Sequence, residues 1–146
     1  MPTSHILVPT DFSTHADHAL DYALALAKEL QARITLLHVI YRPPMGEASL
    51  LTYLAEVEAE ARQALERRVQ RLREAGLQGT YIMVHGVPWQ EIVEAAGVQK
   101  ADLIVMGTHG RTGVLHVLLG SVAEKVLRHA PCPVLVTRAP AQSAAA

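Results

Sequence analysis

The chain has 146 residues, half of them hydrophobic but only 4% aromatic, and a formal net charge of −1. That length suits one domain with a core large enough to need neither disulfide nor metal, and the charge balance excludes a bulk electrostatic draw toward nucleic acid or an anionic membrane. A lone cysteine, Cys132, excludes an intramolecular disulfide, and with no signal-like N-terminus and no apolar run near the roughly 20 residues of a membrane span, a soluble cytoplasmic protein is expected.

Ile6-Leu7-Val8 reads as a first strand, apolar on both faces as a buried parallel strand should be, and Pro9 stops it. Thr10-Asp11-Phe12-Ser13 forms a loop. Thr14 with Asp17 three residues on fits a capping box, opening a helix to about Leu30. Ile34 to Val39 is a second strand, followed by a loop marked by Pro43, Pro44 and Gly46. From Ala48 to Ala75 a long helix carries the stripe Leu50, Leu54, Val57, Ala61, Leu65, Val69 and Leu72 at steps of three or four. Its acids and arginines alternate, which marks a solvated face rather than a nucleic-acid surface. Gly76 suits the position just past its end.

Thr80 to Val84 is a third strand, and Pro88 can open a helix that Gly97 ends. Leu103 to Met106 is a fourth strand. Gly107 to Ser121 is a glycine-bearing loop, Val122 to His129 a last helix, and Val134 to Thr137 a fifth strand. Strands alternating with helices predict an α/β sandwich: one parallel sheet with helices on both faces, joined by right-handed crossovers. One domain spans residues 1–138, and 139–146 form a small, polar, frayed tail.

The loop after the fourth strand carries the chemistry. Strand, glycines and helix N-terminus together make a place for a phosphate, because backbone N–H groups can approach an anion. It is neither a P-loop, since no Gly-Lys-Ser/Thr is present, nor a dinucleotide fingerprint. Gly107, Gly110 and Gly120 could equally be turn glycines, and Ser121-Val122-Ala123-Glu124 reads as a capping box, which is compatible with phosphate binding. In an open α/β sheet the ligand sits beyond the carboxyl ends of the strands, where strand order reverses. Order 3-2-1-4-5 brings Pro9-Thr10-Asp11 beside Gly107, with the Val39 end of strand two as the next wall. Order 2-1-3-4-5 would instead join the loops after strands one and three, and periodicity does not choose between them. Asp11 is either a ribose or metal contact or a turn acid.

Gly107, Thr108-His109, Gly110, nine residues, then Gly120-Ser121 matches without departure a motif of the universal stress protein (UspA-like) family, in its ATP-binding branch. Ile6 to Ser13, Leu37-His38-Val39 and Ala130 to Val136 also resemble that family, so the likeness covers about residues 3 to 138. The resemblance implies order 3-2-1-4-5 and an ATP, ADP or AMP site, with or without Mg²⁺. By it, Asp11 lies near the ribose, and Val39 meets the adenine through its backbone. Met106 and Gly107 line the ribose and phosphate side, while Gly110, Gly120, Ser121 and Val122 hold phosphates. It also implies a homodimer paired through the last strand, Val134–Thr137, whose apolar edge needs a cover, and a stress-response role with an unknown protein partner.

Other residues have weaker claims. His109 can touch phosphate or ribose or merely shape the loop; Arg111 can neutralise a phosphate or face solvent. His15 and His18 have ligand-like i, i+3 spacing but no third partner at obvious spacing. His38 and His85 end strands at the expected pocket rim. Cys132, between two prolines, suits a structural small residue, and Trp89 a packing anchor or partner contact. No general base is evident, which favours a nucleotide-binding regulator over an ATPase. A flavodoxin-like FMN carrier fits poorly with so few aromatics. Gly120→Val is expected to block phosphates while sparing the fold. The apolar middle of the loop, Leu115, Val117, Leu118 and Leu119, is expected to pack down.

Overall fold

The computed structural model describes residues 3–109 and 119–138. Five strands, β1 (His5–Pro9), β2 (Arg33–Ile40), β3 (Gly79–His85), β4 (Leu103–Gly107) and β5 (Val134–Thr137), form one sheet. Its order is β3-β2-β1-β4-β5, all neighbours parallel. That order removes the 2-1-3-4-5 alternative. The helices are α1 (Thr14–Leu30), α2 (Glu47–Glu74), α3 (Pro88–Val98) and α4 (Ser121–His129).

The two-residue period of the strands sorts the core into two layers. Ile6, Val8, Ile34, Leu36 and Val105 face α1 and α2, where Ala19, Leu20, Ala23, Leu65, Val69 and Leu72 are buried against them. Leu7, Leu37, Ile104 and Met106 face α3 and α4, where Ile92, Ala95, Ala96, Ala123 and Val126 are buried. Both faces of the sheet are therefore covered, and the continuous apolar runs of β1 and β4 follow from that.

Helix ends depart from expectation in instructive ways. Ser13, not Thr14, caps α1: its hydroxyl accepts from the Ala16 amide at 3.1 Å. Asp17 is drawn away from the helix end by Arg68 of α2, whose guanidinium meets both of its carboxylate oxygens at 2.8 and 3.0 Å. Gly76 does take the left-handed conformation after α2, with φ +84°. The paired bonds Leu77 N–H to Leu72 O (3.1 Å) and Gly76 N–H to Arg73 O (2.9 Å) complete a Schellman turn. Gly97 does not end α3. A glycine stops a helix only where the chain turns left-handed, and here that residue is Lys100, φ +53°. Gln31 makes the same turn after α1 with φ +54°.

Candidate functional site

The crevice arises from how the two central strands part. β1 and β4 are paired at Ile6–Leu103 and Leu7–Ile104. Beyond that, β1 follows β2 through Pro9–Leu37, and the Thr10 amide adds a further bond to Leu37 O at 2.8 Å. β4 follows β5 through Gly107–Thr137, extended by Thr108 N–H to Thr137 O at 3.0 Å. Two neighbours that each cling to their outer partner open a gap between their carboxyl ends, at the point where strand order reverses.

On one lip, Pro9 ends β1 and Thr10 is buried. The Thr10 hydroxyl accepts the Phe12 amide (3.0 Å), and its carbonyl takes a hydrogen bond from His38 Nδ1 (2.8 Å). Asp11 Oδ1 accepts the Ser13 amide at 3.0 Å, an Asx-type turn, so the turn-acid role is fulfilled. Phe12 sits at φ +65°, a conformation that costs a residue with a Cβ about 1–3 kcal/mol. Its ring stacks on His38 with centroids 4.4 Å apart, and the Arg68 guanidinium lies 4.9 Å from it. These contacts, His38 from β2 and Arg68 from α2, hold the turn that presents Asp11.

On the other lip, Gly107 lets α1 approach: an added Cβ would lie 3.0 Å from the His15 carbonyl oxygen. Gly107 thus already has a packing reason. Gly120, with φ −68°, is the N-cap of α4, and Ser121 is the first helical residue. The expected Ser121 capping box therefore does not form: the extended residue before the helix is Gly120, which has no side chain with which to cap. Gly120 N–H donates to Thr108 O at 2.7 Å. Gly110, Arg111, Leu115, Val117 and Leu118 lie outside the described residues; Leu119 packs against the α3–α4 core as expected. His109 Nδ1 lies 3.1 Å from Thr108 Oγ1, and its ring is 5.8 Å from that of His15. Val39, Met106 and Val122 come together in the core layer on the α3–α4 side.

The sequence profile of the Universal stress protein family matches residues 2–138. The chain belongs to the universal stress protein family. Universal stress protein MJ0531 of Methanocaldococcus jannaschii is 40% identical over 141 residues, spanning 92% of this chain and 82% of its own length. The solved structure of MJ0577 from the same archaeon superposes with a TM-score of 0.92 at 34% identity, covering 97% of this chain and all of that one. A universal stress protein in complex with cAMP gives a TM-score of 0.74 at 27% identity, covering 94% and 98%.

Within this family member, several candidates resolve into structural roles. His85 lies 2.8 Å from Glu58 of α2. Cys132 packs against the α3–α4 core, and burial pushes its thiol pKa up, as suits a structural residue. Trp89 packs against the same core and lies 5.0 Å from the His129 ring, with Lys125 5.7 Å from its own. Among the described residues no group of three or more histidines, cysteines or carboxylates could hold a metal, and no described helix is long and apolar enough to cross a membrane. Sequence reasoning missed His5, buried at the start of β1. Its Nδ1 faces Gln99 O (3.0 Å) and its Nε2 faces Thr35 Oγ1 (2.7 Å), which meets Thr80 Oγ1 at 3.3 Å. Burial and Arg33 lower its pKa, against an opposing pull from Gln99 O and Asp102. Asp102, accepting from the Ser4 amide and hydroxyl and the His5 amide, is lowered in turn. A histidine opening an apolar strand was the available signal.

Proposed function

We propose that the crevice between β1 and β4 binds an adenine nucleotide, and that the chain is an ATP-binding universal stress protein acting as a nucleotide-dependent regulator. The observation that carries this reading is the divergence of β1 toward β2 and β4 toward β5, with a carboxylate on one lip and a helix start on the other. Gly120, having no side chain, leaves the amides of Ser121, Val122 and Ala123 ahead of the first intrahelical bond, from Glu124 N–H to Gly120 O. Amides so placed suit phosphate oxygens. Because Leu37 O accepts from Thr10 on the β1 side, the backbone groups of Val39, two residues on, also face β1. That edge suits a base hydrogen-bonded through main-chain atoms. Met106 gives the sugar an apolar floor, and Asp11 is a carboxylate for a ribose hydroxyl or, through water, for Mg²⁺. The universal stress protein solved with cAMP supports an adenine ligand for this fold.

The partly buried edge of β5, Val134 to Val136, suits pairing with a second copy across the last strand. The test of the nucleotide reading is the ligand released when the purified protein is denatured, followed by titration of the emptied protein with ATP and AMP. Stoichiometric adenine nucleotide is expected. Absence of both release and binding would remove the reading.

A further inference from the structure

We propose that His15 and His109 form an open two-imidazole site for a divalent transition-metal ion, Zn²⁺ being the metal that fits. His15 Nδ1 and His109 Nε2 are buried and have no hydrogen-bond partner. Buried polar atoms are ordinarily satisfied, so two such nitrogens on neighbouring rings require an explanation. The rings come from different elements, His15 from the first turn of α1 and His109 from the residues after β4. They are 5.8 Å apart and tilted by 58°. With Zn–N bonds of about 2.0–2.1 Å, two imidazoles on one ion have ring centres roughly 5–6 Å apart.

The surrounding bonds hold His109 as a metal ligand is usually held. His109 Nδ1 meets Thr108 Oγ1 at 3.1 Å. In the tautomer whose Nδ1–H donates there, Nε2 presents its lone pair, the arrangement by which a neighbouring acceptor orients a metal-bound histidine. Thr108 is itself pinned on both sides, its N–H to Thr137 O and its O from Gly120 N–H. The close approach of Gly107 to the His15 carbonyl presses the start of α1 against the end of β4. Imidazole pairs favour Zn²⁺, Cu²⁺ or Ni²⁺, whereas Mg²⁺ demands oxygen, so this site differs in chemistry from a nucleotide's magnesium. His15 is carried by α1, the helix on the face of the sheet opposite the core layer of Val39, Met106 and Val122, while the His109 ring lies near Gly120 at the start of α4. Since no third protein ligand completes a cluster among the described residues, the protein supplies two coordination positions and the others would be taken by water that enters with the ion.

The full chain, stripped with chelator and kept without nucleotide, is titrated with ZnCl₂ by calorimetry and with CoCl₂ by visible absorption. One ion per chain is expected. His15→Gln and His109→Gln should each weaken Zn²⁺ at least tenfold, and Thr108→Val, which leaves both imidazoles in place, about tenfold. His18→Ala should change nothing. Thermal melts of each variant separate lost ligation from lost folding. No stoichiometric ion, unchanged affinity in the well-folded glutamine variants, or loss on His18→Ala would overturn the proposal.

Discussion

The backbone carbonyl of Thr108 accepts the Gly120 amide at 2.7 Å, closing the neck of the segment that leaves β4 and returns at α4. A Cβ added at Gly120 would lie 2.9 Å from that same carbonyl oxygen and 3.5 Å from His109 Cα. The glycine is thus required by the protein's own backbone, whatever the ligand. Gly120→Val, expected from the sequence to spare the fold, should instead force the neck open. We predict a loss of about 1–3 kcal/mol in urea denaturation, the usual cost of overpacking, together with at least tenfold weaker ATP binding. Unchanged denaturation would show that the neck relaxes without cost.

The strained turn at Phe12 makes an unusual prediction. Its φ of +65° disfavours any side chain, while its ring is held by His38 and Arg68. Phe12→Ala loses the ring and keeps the strain; Phe12→Gly loses the ring and the strain together. The glycine variant should therefore be the more stable of the two by about 1 kcal/mol, the reverse of their order in a helix. Chemical denaturation of both variants decides it.

His5 gives the protein an acid-sensitive clasp across β1, β2 and β3. Its folded pKa is lowered from 6.5, so the unfolded chain binds the proton more readily. Its contribution is complete above about pH 6.5 and declines as pH falls from there through the lowered folded value. His5→Gln can bond to Thr35 and Gln99 without titrating. Denaturation free energies from about pH 7.5 to 5 should fall less steeply in the variant than in the natural chain. Parallel curves would contradict this role.

For the dimer, the edge of β5 offers a selective test. Pro133 O and Thr137 O accept bonds from β4, so Val134 and Val136 direct their amides outward. Val136→Pro removes one outward N–H and no bond to β4, a change that edge strands tolerate. Gel filtration should show a monomer with native circular dichroism. A dimer that persists would place the interface elsewhere.

The fold was largely legible because its signals are local. Apolar runs such as Ile6-Leu7-Val8 and Leu103 to Met106 have one stable use, as strands covered on both faces, and the two core layers follow from their alternation. What the sequence concealed was decided by contacts distant in the chain. Ser13 and Thr14 are equally good caps in isolation; Arg68, some fifty residues away, takes Asp17 out of the contest. Phe12, Gln31 and Lys100 turn left-handed without any glycine to announce it. Gly107 and Gly120 were recognisable as a spaced pair, but their spacing does not reveal that His15 O and Thr108 O are the atoms each must admit. Asp11, Val39 and Gly107 could be set side by side only once strand order was known, and the sequence supplied that through family resemblance rather than periodicity.

The most direct test of the nucleotide crevice is its location. Backbone amide shifts of the isotopically labelled protein, followed during titration with ATP, should move first at Asp11, Val39, Ser121 and Val122. Shifts confined to the opposite end of the sheet, where Lys28, Arg33 and Gln78 line an open groove, or no shifts at all, would contradict the account.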